Sequence, residues 1–150
     1  MEKLVVSLDF RTFPPTHTCD GGNESPRLRI KGLSAESVAV MAVNPYQQSC
    51  CSFCPWLIWN LPPTGEVPPG IPRTGTVTVP VSAVQGKNDF GNIGYDGPCP
   101  PPGSTIRYTF KVYGLDTLLD LAPGATKGDL IGAMQGHVLQ FGGTMALYTR

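Results

Sequence analysis

The sequence carries no net charge and few charged side chains. Eleven basic and eleven acidic residues cancel, and charged residues occupy only 15% of the 150 positions, without any block of one sign. Nucleic acids and anionic membrane surfaces are both recognised through clustered cations that neutralise phosphates. The sequence therefore argues against a nucleic-acid-binding protein and against an electrostatic membrane patch.

Long apolar runs are also lacking. The apolar stretch near the N-terminus is broken by Ser7 and Asp9, so it lacks the apolar core and the small-residue cleavage site of a secretory signal. The uncharged run at residues 55–63 is far too short to cross a bilayer. These features predict a soluble, cytoplasmic protein without a transmembrane segment.

Glycine and proline are abundant instead. The chain contains 18 glycines and 16 prolines beside 41% hydrophobic residues. This composition is too apolar for a disordered chain and too rich in turn formers for a helical bundle. At this length one core can be buried without metal or disulfides. We therefore expect a single mainly β domain that spans residues 1–150.

Strand-forming patterns dominate the chain. Alternating or β-branched segments predict strands at residues 4–10, 37–43, 56–60, 74–81, 106–115 and 143–148. One helix is predicted at residues 126–140, where Thr126 can cap the N-terminus with Asp129 three positions later, and Gly142 follows the end.

Three of the five cysteines crowd into the segment C-C-S-F-C, as Cys50, Cys51 and Cys54. A structural zinc site needs four ligands in separated pairs, and only His17 and His137 could add nitrogen, so a metal site is disfavoured. The remaining interpretations are a Cys51–Cys54 or Cys50–Cys54 disulfide, or buried thiols. No histidine lies nearby in sequence to activate a nucleophilic thiol.

Three motifs resemble one known family. They are G-Y-D-G-P-C-P-P-P-G at residues 94–103, followed by I-R-Y-T-F-K-V-Y-G-L-D at 106–116; T-C-D-G-G-N-E-S-P-R-L-R-I at 18–30; and G-A-T-K-G-D-L-I-G-A-M-Q-G-H-V-L at 124–139. In this order they resemble the phosphatidylethanolamine-binding protein family, in its bacterial and archaeal, Raf-kinase-inhibitor-like branch. The resemblance implies a large central antiparallel sheet packed on a smaller sheet, with short peripheral helices including a C-terminal one.

The same resemblance implies a small anion-binding cavity, from which this sequence departs. The family pattern D-P-D-A-P reads N-P-Y-Q-Q at residues 44–48, the family His-Trp is Pro55-Trp56, and the family histidine before Arg-Tyr is Ile106. Two acids and two histidines are thus absent together. The candidate ligand-binding residues are Asn44, Tyr46, Pro55, Tyr95, Gly97, Cys99, Ile106 and Tyr108.

Two functions are compatible with these residues, and neither involves catalysis, a cofactor or a metal. The first is a binding protein whose altered cavity takes a small ligand or lipid head group weakly, or differently from phosphate head groups. The second is a protein-interaction module, like a protease or kinase inhibitor, that uses the proline-rich loop at residues 62–73. An enzyme is disfavoured because the matching positions supply no acid–base or nucleophile–base pair.

The family resemblance has one further implication, for the cysteines. The family fold would bring Cys54 and Cys99 close enough for a disulfide.

Overall fold

The computed structural model describes residues 2–44 and 53–150. Within them, the strands and helices in chain order are β1 (Glu2–Lys3), β2 (Val5–Ser7), a 3-10 helix (Pro15–His17), β3 (Leu28–Lys31), β4 (Ser37–Asn44), β5 (Phe53–Leu61), β6 (Glu66–Val67), β7 (Thr76–Val77), β8 (Ala83–Gln85), β9 (Thr105–Leu115), α1 (Lys127–Met134) and β10 (Val138–Thr149). None of the helices in this part of the chain has the length and apolar character needed to span a membrane.

The strands form two sheets. The large sheet has the order β1-β10-β9-β4-β5-β8-β7, and the small sheet has the order β2-β3-β6. Every pair is antiparallel except β1 with β10, which makes the large sheet mixed. The mainly β fold implied by the family resemblance, with one large and one small sheet, is confirmed, and the parallel edge pair is the departure from it.

The large sheet buries side chains on both of its faces. All eight residues of β4 are buried. An inner cluster, which includes Trp56 and Phe110, lies between the two sheets. An outer cluster, which includes Leu57, Leu130 and Met134, lies between the large sheet and α1. Because side chains alternate along a strand, the neighbours Trp56 and Leu57 belong to opposite clusters.

The helix begins where the sequence predicts and ends earlier. The Thr126 hydroxyl accepts a hydrogen bond from the Asp129 backbone N–H, and the Asp129 carboxylate accepts one from the Thr126 N–H at 3.0 Å. The helix then stops at Met134, so the predicted extent to residue 140 is wrong. Gly136 has a φ of +82°, which turns the chain. Residues from Val138 onward pair with β9, and this long ladder outweighs their helical spacing.

The predicted strands agree with the structure in the centre of the large sheet, whereas two of the other predicted segments are too long. Segments 37–43 and 106–115 correspond to β4 and β9, 56–60 lies within β5, and 143–148 lies within β10. The segment 74–81 is wrong as one strand, because only Thr76–Val77 pairs before a cis Val79–Pro80 bond, and β8 follows. The segment 4–10 is likewise reduced to β2, where pairing with β3 ends at Ser7.

Candidate functional site

The proline-rich loop at residues 94–103 is bound to the loop at residues 17–23. A disulfide joins Cys19 to Cys99, with the two Cα atoms 5.4 Å apart. The Tyr95 hydroxyl donates to the carbonyl oxygen of His17 at 2.7 Å, and the Gly97 N–H donates to Asn23 Oδ1 at 2.7 Å. These two loops, at residues 17–23 and 94–103, are therefore connected to each other, and together they are called the loop unit below.

The disulfide corrects three sequence-based interpretations. Cys99 pairs with Cys19, so the Cys54–Cys99 bridge is wrong. Cys54 is a free thiol, so the Cys50–Cys54 and Cys51–Cys54 bridges are wrong too. The physical reason is position: Cys54 is fully buried in the outer cluster, where its Sγ lies 3.3 Å from the Trp56 carbonyl oxygen, whereas Cys99 is exposed. Cys50 and Cys51 themselves lie outside the described residues.

Burial also determines the chemistry of Cys54. Desolvation raises the pKa of its thiol to about 12, and the nearby Asp89 carboxylate acts in the same direction. The thiolate is therefore scarce at neutral pH.

Residues 2–44 and 53–150 contain no cluster of three or more His, Cys, Asp or Glu side chains placed to hold a metal ion.

Gly97 is needed where the two loops touch. A Cβ atom at this position would lie 2.1 Å from the His17 carbonyl oxygen and 2.8 Å from both Asn23 Oδ1 and the Thr18 Cα. Real side chains do not approach backbone atoms so closely, so any substitution must separate the loops. The close packing of the two backbones thus explains why the motif has a glycine at residue 97.

Asp96 is the centre of a polar network that the sequence did not reveal. Its carboxylate accepts hydrogen bonds from Arg73 at 2.9 Å, Asn88 at 2.8 Å and Asn92 at 3.0 Å. Burial acts to raise the pKa of this carboxyl, but the bonds from Asn92, Asn88 and Arg73, with the Arg73 charge, hold it below its ordinary value. Asn23 Nδ2 also donates to Asp96 Oδ1, at 3.5 Å. The two family-like motifs contain Asp96 and Asn23, but the other three partners are spread over residues 73–92 and carry no such signal.

An aromatic layer underlies this network. The Tyr108 hydroxyl donates to the Asp96 carbonyl oxygen at 3.0 Å, and the ring of Tyr95 stands at 90° to that of Trp56, with centroids 5.6 Å apart. The Trp56 Nε1–H donates to Gln85 Oε1 at 2.9 Å. Desolvation raises the pKa of Tyr95 and of Tyr108, so both hydroxyls stay protonated and act as donors near neutral pH.

A second pair of charges lies beside the disulfide. The Arg150 guanidinium is 3.1 Å from the Asp20 carboxylate and 3.6 Å from Cys99 Sγ. The Tyr148 hydroxyl also donates a hydrogen bond to Asp20. Asp20 is therefore shared between an arginine and a tyrosine at the edge of the loop unit.

The structure brings several, but not all, of the candidate residues together. The Asp96 N–H donates to the Pro55 carbonyl oxygen at 3.1 Å, so Pro55 adjoins the segment from Tyr95 to Gly97, and Tyr108 contacts the same segment. Pro55 sits in a β-bulge, where β5 has one residue more than β4 between two paired positions, a place that tolerates proline.

The other candidates are more scattered. Asn44 ends β4 and is 3% exposed. Ile106, half-buried, pairs with Tyr148 at the start of β9. Cys99 is held in the disulfide. Tyr46 lies outside the described residues.

The sequence is similar to those of known proteins over most of its length. The family model for phosphatidylethanolamine-binding proteins matches residues 7–149. The chain belongs to this family. A UPF0098 protein of Pyrococcus abyssi is 48% identical over 140 residues, which cover 91% of this chain and 78% of the relative. YbcL of Escherichia coli, also a UPF0098 protein, is 36% identical over 137 residues, which cover 89% and 73% of the two chains.

Solved structures of two family members superpose on nearly the whole chain. CT736 of Chlamydia trachomatis, a phosphatidylethanolamine-binding protein homolog, matches with a TM-score of 0.86 and 28% identity, and covers 100% of this chain and 99% of its own. The crystal structure of E. coli YbcL, described as a new member of the mammalian family, matches with a TM-score of 0.85 and 26% identity over 98% of both chains. The bacterial and archaeal branch inferred from the motifs is therefore confirmed.

Proposed function

We propose that the protein is a non-enzymatic binding protein whose family cavity takes a small neutral or partly apolar ligand in place of a phosphate head group. The observation that carries this proposal is the pairing of the polar groups around the loop at residues 94–103. Arg73 is paired with Asp96, and Arg150 with Asp20. The hydroxyl protons of Tyr95 and Tyr108 are donated to backbone carbonyls.

The residues that replace the two family histidines and the first family aspartate support the same proposal. A histidine donates a hydrogen bond to a phosphate and carries positive charge near neutral pH. Pro55 and Ile106 have no side-chain donor, and Asn44 offers a neutral amide. A hydrogen bond to a charged group contributes about 1.5–3 kcal/mol, so each one lost weakens anion binding by roughly tenfold or more.

The positions of the possible catalytic groups favour binding over catalysis. His17 Nδ1 lies 2.7 Å from the Glu24 carbonyl oxygen, and His137 pairs with Asp116 at 2.8 Å. Neither histidine is placed by these contacts against a nucleophile, and the Cys54 thiol is buried with a raised pKa. In the described part of the chain these contacts therefore leave no assembled nucleophile–base pair.

Calorimetric titration with inorganic phosphate tests the proposal. We expect no micromolar binding by the wild-type chain. A double variant, Pro55→His with Ile106→His, restores the family histidines and should gain at least tenfold in affinity. The matched control, Pro55→Ala with Ile106→Leu, changes the same positions without adding a donor and should gain nothing. Micromolar phosphate binding by the wild type would overturn the proposal. Native mass spectrometry would also reveal a retained small molecule that is lost on denaturation.

A protein-interaction role is the second candidate. Hydrogen bonds that fix the backbone of the proline-rich loop at residues 62–73 favour this role. The Gly70 N–H donates to the Ser25 carbonyl oxygen at 2.9 Å, and the Ile71 N–H donates to Ser25 Oγ at 3.0 Å. Pro63, Pro69 and Pro72 remain exposed in this loop. A surface already ordered in this way loses little entropy on binding.

Inhibition assays on a panel of serine proteases and protein kinases test the second candidate. We expect inhibition to be lost when the exposed Pro69 and Pro72 are replaced by Ser, which leaves the buried Ile71 in place. The cavity double variant should inhibit as the wild type does. Inhibition that survives these two substitutions would assign it to another surface.

A further inference from the structure

A cleft lies on the outer face of the large sheet, away from the loop unit. Its volume is about 560 Å³, and it opens between the C-terminal end of α1 and strands β4, β9 and β10. Its apolar lining residues are Met41, Tyr113, Ile131, Met134 and Val138. The ring of Phe141, 5.2 Å from that of Tyr113, continues this apolar surface along β10. Small-ligand sites in proteins commonly have this size and this apolar character.

Among the described residues that line the cleft, Lys111 alone is charged. It lies on β9, half-buried, between Met41 of β4 and Gly143 of β10 in the sheet register. Gly143 has no side chain to cover it. In the parts of the chain that the structure describes, no carboxylate forms an ion pair with Lys111, in contrast to Lys127, which pairs with Asp89 at 3.7 Å.

This arrangement has a clear chemical preference. Lys111 is half-buried beside apolar side chains, and an anion that reaches its ammonium group along the same surface can form a charge-assisted hydrogen bond with it. Phosphate alone would leave the apolar walls uncovered, and a neutral hydrocarbon would leave the ammonium without a partner. A ligand with a carboxylate at one end and a hydrocarbon chain at the other satisfies both.

We propose that this cleft binds a medium-chain fatty acid, with the carboxylate on Lys111 and the hydrocarbon chain against Tyr113, Ile131 and Met134. This site is separate from the family cavity. Met41 and Met134 of the cleft belong to the outer cluster, whereas Tyr95 and Tyr108 belong to the inner cluster. Its occupation does not depend on the function proposed above.

Decanoate, decanol and decylamine are the probes, because they share a hydrocarbon chain and differ in the charge of the head group. Binding is measured by NMR titration of the wild type and of Lys111→Met. We expect saturable decanoate binding, at least tenfold tighter than that of decanol, with amide shifts centred on residues 131–138. Decylamine should bind most weakly. Lys111→Met should abolish the preference for decanoate, whereas Lys31→Met, an exposed lysine on the small sheet, should retain it.

A second variant separates loss of the site from loss of the fold. Ile131 is 42% exposed, so Ile131→Glu should fold normally while it supplies Lys111 with an internal carboxylate. We expect this variant to lose decanoate binding and to keep the thermal midpoint of the wild type within a few degrees. Leu118→Glu, at an apolar residue that is 64% exposed elsewhere, serves as the control and should bind decanoate normally.

Three results would overturn the proposal. They are the absence of saturable decanoate binding, equal affinity for decanoate and decanol, and decanoate binding that is unchanged in both Lys111→Met and Ile131→Glu. Phosphate titration of the same variants reports separately on the family cavity. The two proposals therefore succeed or fail independently.

Discussion

Cys19 and Cys99 join two loops that are 80 residues apart in the sequence. The hydrogen bonds from Tyr95 to His17 and from Gly97 to Asn23 connect the same loops without covalent bonds. The disulfide and the hydrogen bonds thus hold one interface, between the loop at residues 17–23 and the loop at residues 94–103. Substitutions at Cys19 and Cys99 remove the covalent link, and a substitution at Gly97 disrupts the close contact between the loops.

Removal of the disulfide should destabilise the protein strongly. A bridge that closes a loop of this length lowers the entropy of the unfolded chain and contributes about 4 kcal/mol. We expect the Cys19→Ser, Cys99→Ser double variant to lose about that much free energy of unfolding, measured in guanidinium chloride. The wild type with a reductant should approach the same value. A loss below about 1 kcal/mol would show that the hydrogen bonds hold the loops alone.

A methyl group at Gly97 should separate the loops. Because its Cβ would meet the His17 carbonyl at 2.1 Å, we expect Gly97→Ala to lower the free energy of unfolding by about 3 kcal/mol. The control is Gly132→Ala in α1. Apart from the helix's own nearby backbone, no described atom lies within 4 Å of the added Cβ, and alanine should stabilise the helix by about 1 kcal/mol. Equal effects of the two substitutions in urea denaturation would contradict this interpretation of the loop contact.

Asp96 should make stability depend on pH in the acid range. Its pKa in the folded protein lies below the ordinary value of 3.8, so the charged form is stabilised by folding. The contribution is therefore present above about pH 4 and is lost as the pH falls through the lower, folded pKa. At pH 7 we expect Asp96→Ala to cost about 2 kcal/mol, because the donors Arg73, Asn88 and Asn92 are among those that lose their acceptor.

Urea denaturation between pH 7 and pH 2 measures this effect. The difference in free energy of unfolding between the wild type and Asp96→Ala should shrink as the pH falls below 4. Asp120→Asn, at an exposed aspartate, is the control and should follow the wild-type profile throughout. A difference that stays constant to pH 2 would show that the Asp96 carboxylate charge is not what stabilises the network.

Cys54 should resist alkylation in the folded protein. With a pKa of about 12, its thiolate fraction at pH 8 is on the order of one in ten thousand, and the side chain is fully buried. We expect iodoacetamide at pH 8 to leave Cys54 unmodified over hours and to modify it within minutes after unfolding in urea. Fragment mass spectrometry locates the modified cysteines. Rapid labelling of Cys54 in the native protein would contradict its burial.

The sequence predicted those parts of the fold in which local pattern and tertiary pairing agree. Residues 37–43 and 106–115 have strand-forming patterns and lie in the middle of the large sheet. At residues 138–140 the two disagree: the apolar spacing continues a helix, but pairing with β9 produces a strand. A turn at Gly136 decides between them, and a helical pattern alone cannot show where such a turn falls.

The candidate site was predicted only in part, for a related reason. The motif around residues 94–103 identified Tyr95 and Gly97, but it could not reveal which groups they contact. Asp96 depends on Arg73, Asn88 and Asn92, which only the fold brings together. Pairing of the cysteines failed similarly, because Cys54 points into the outer cluster and Cys99 stands at the surface.

The burial of every residue in β4 has a consequence for how the molecule opens. This strand lies between β5 and β9, with side chains in both the inner and the outer clusters. No local fluctuation can expose its amides without separating both layers of the protein. The backbone amides of Val40 and Met41 should therefore exchange hydrogen only through global unfolding. Their exchange rates would then report the free energy of unfolding of the whole molecule.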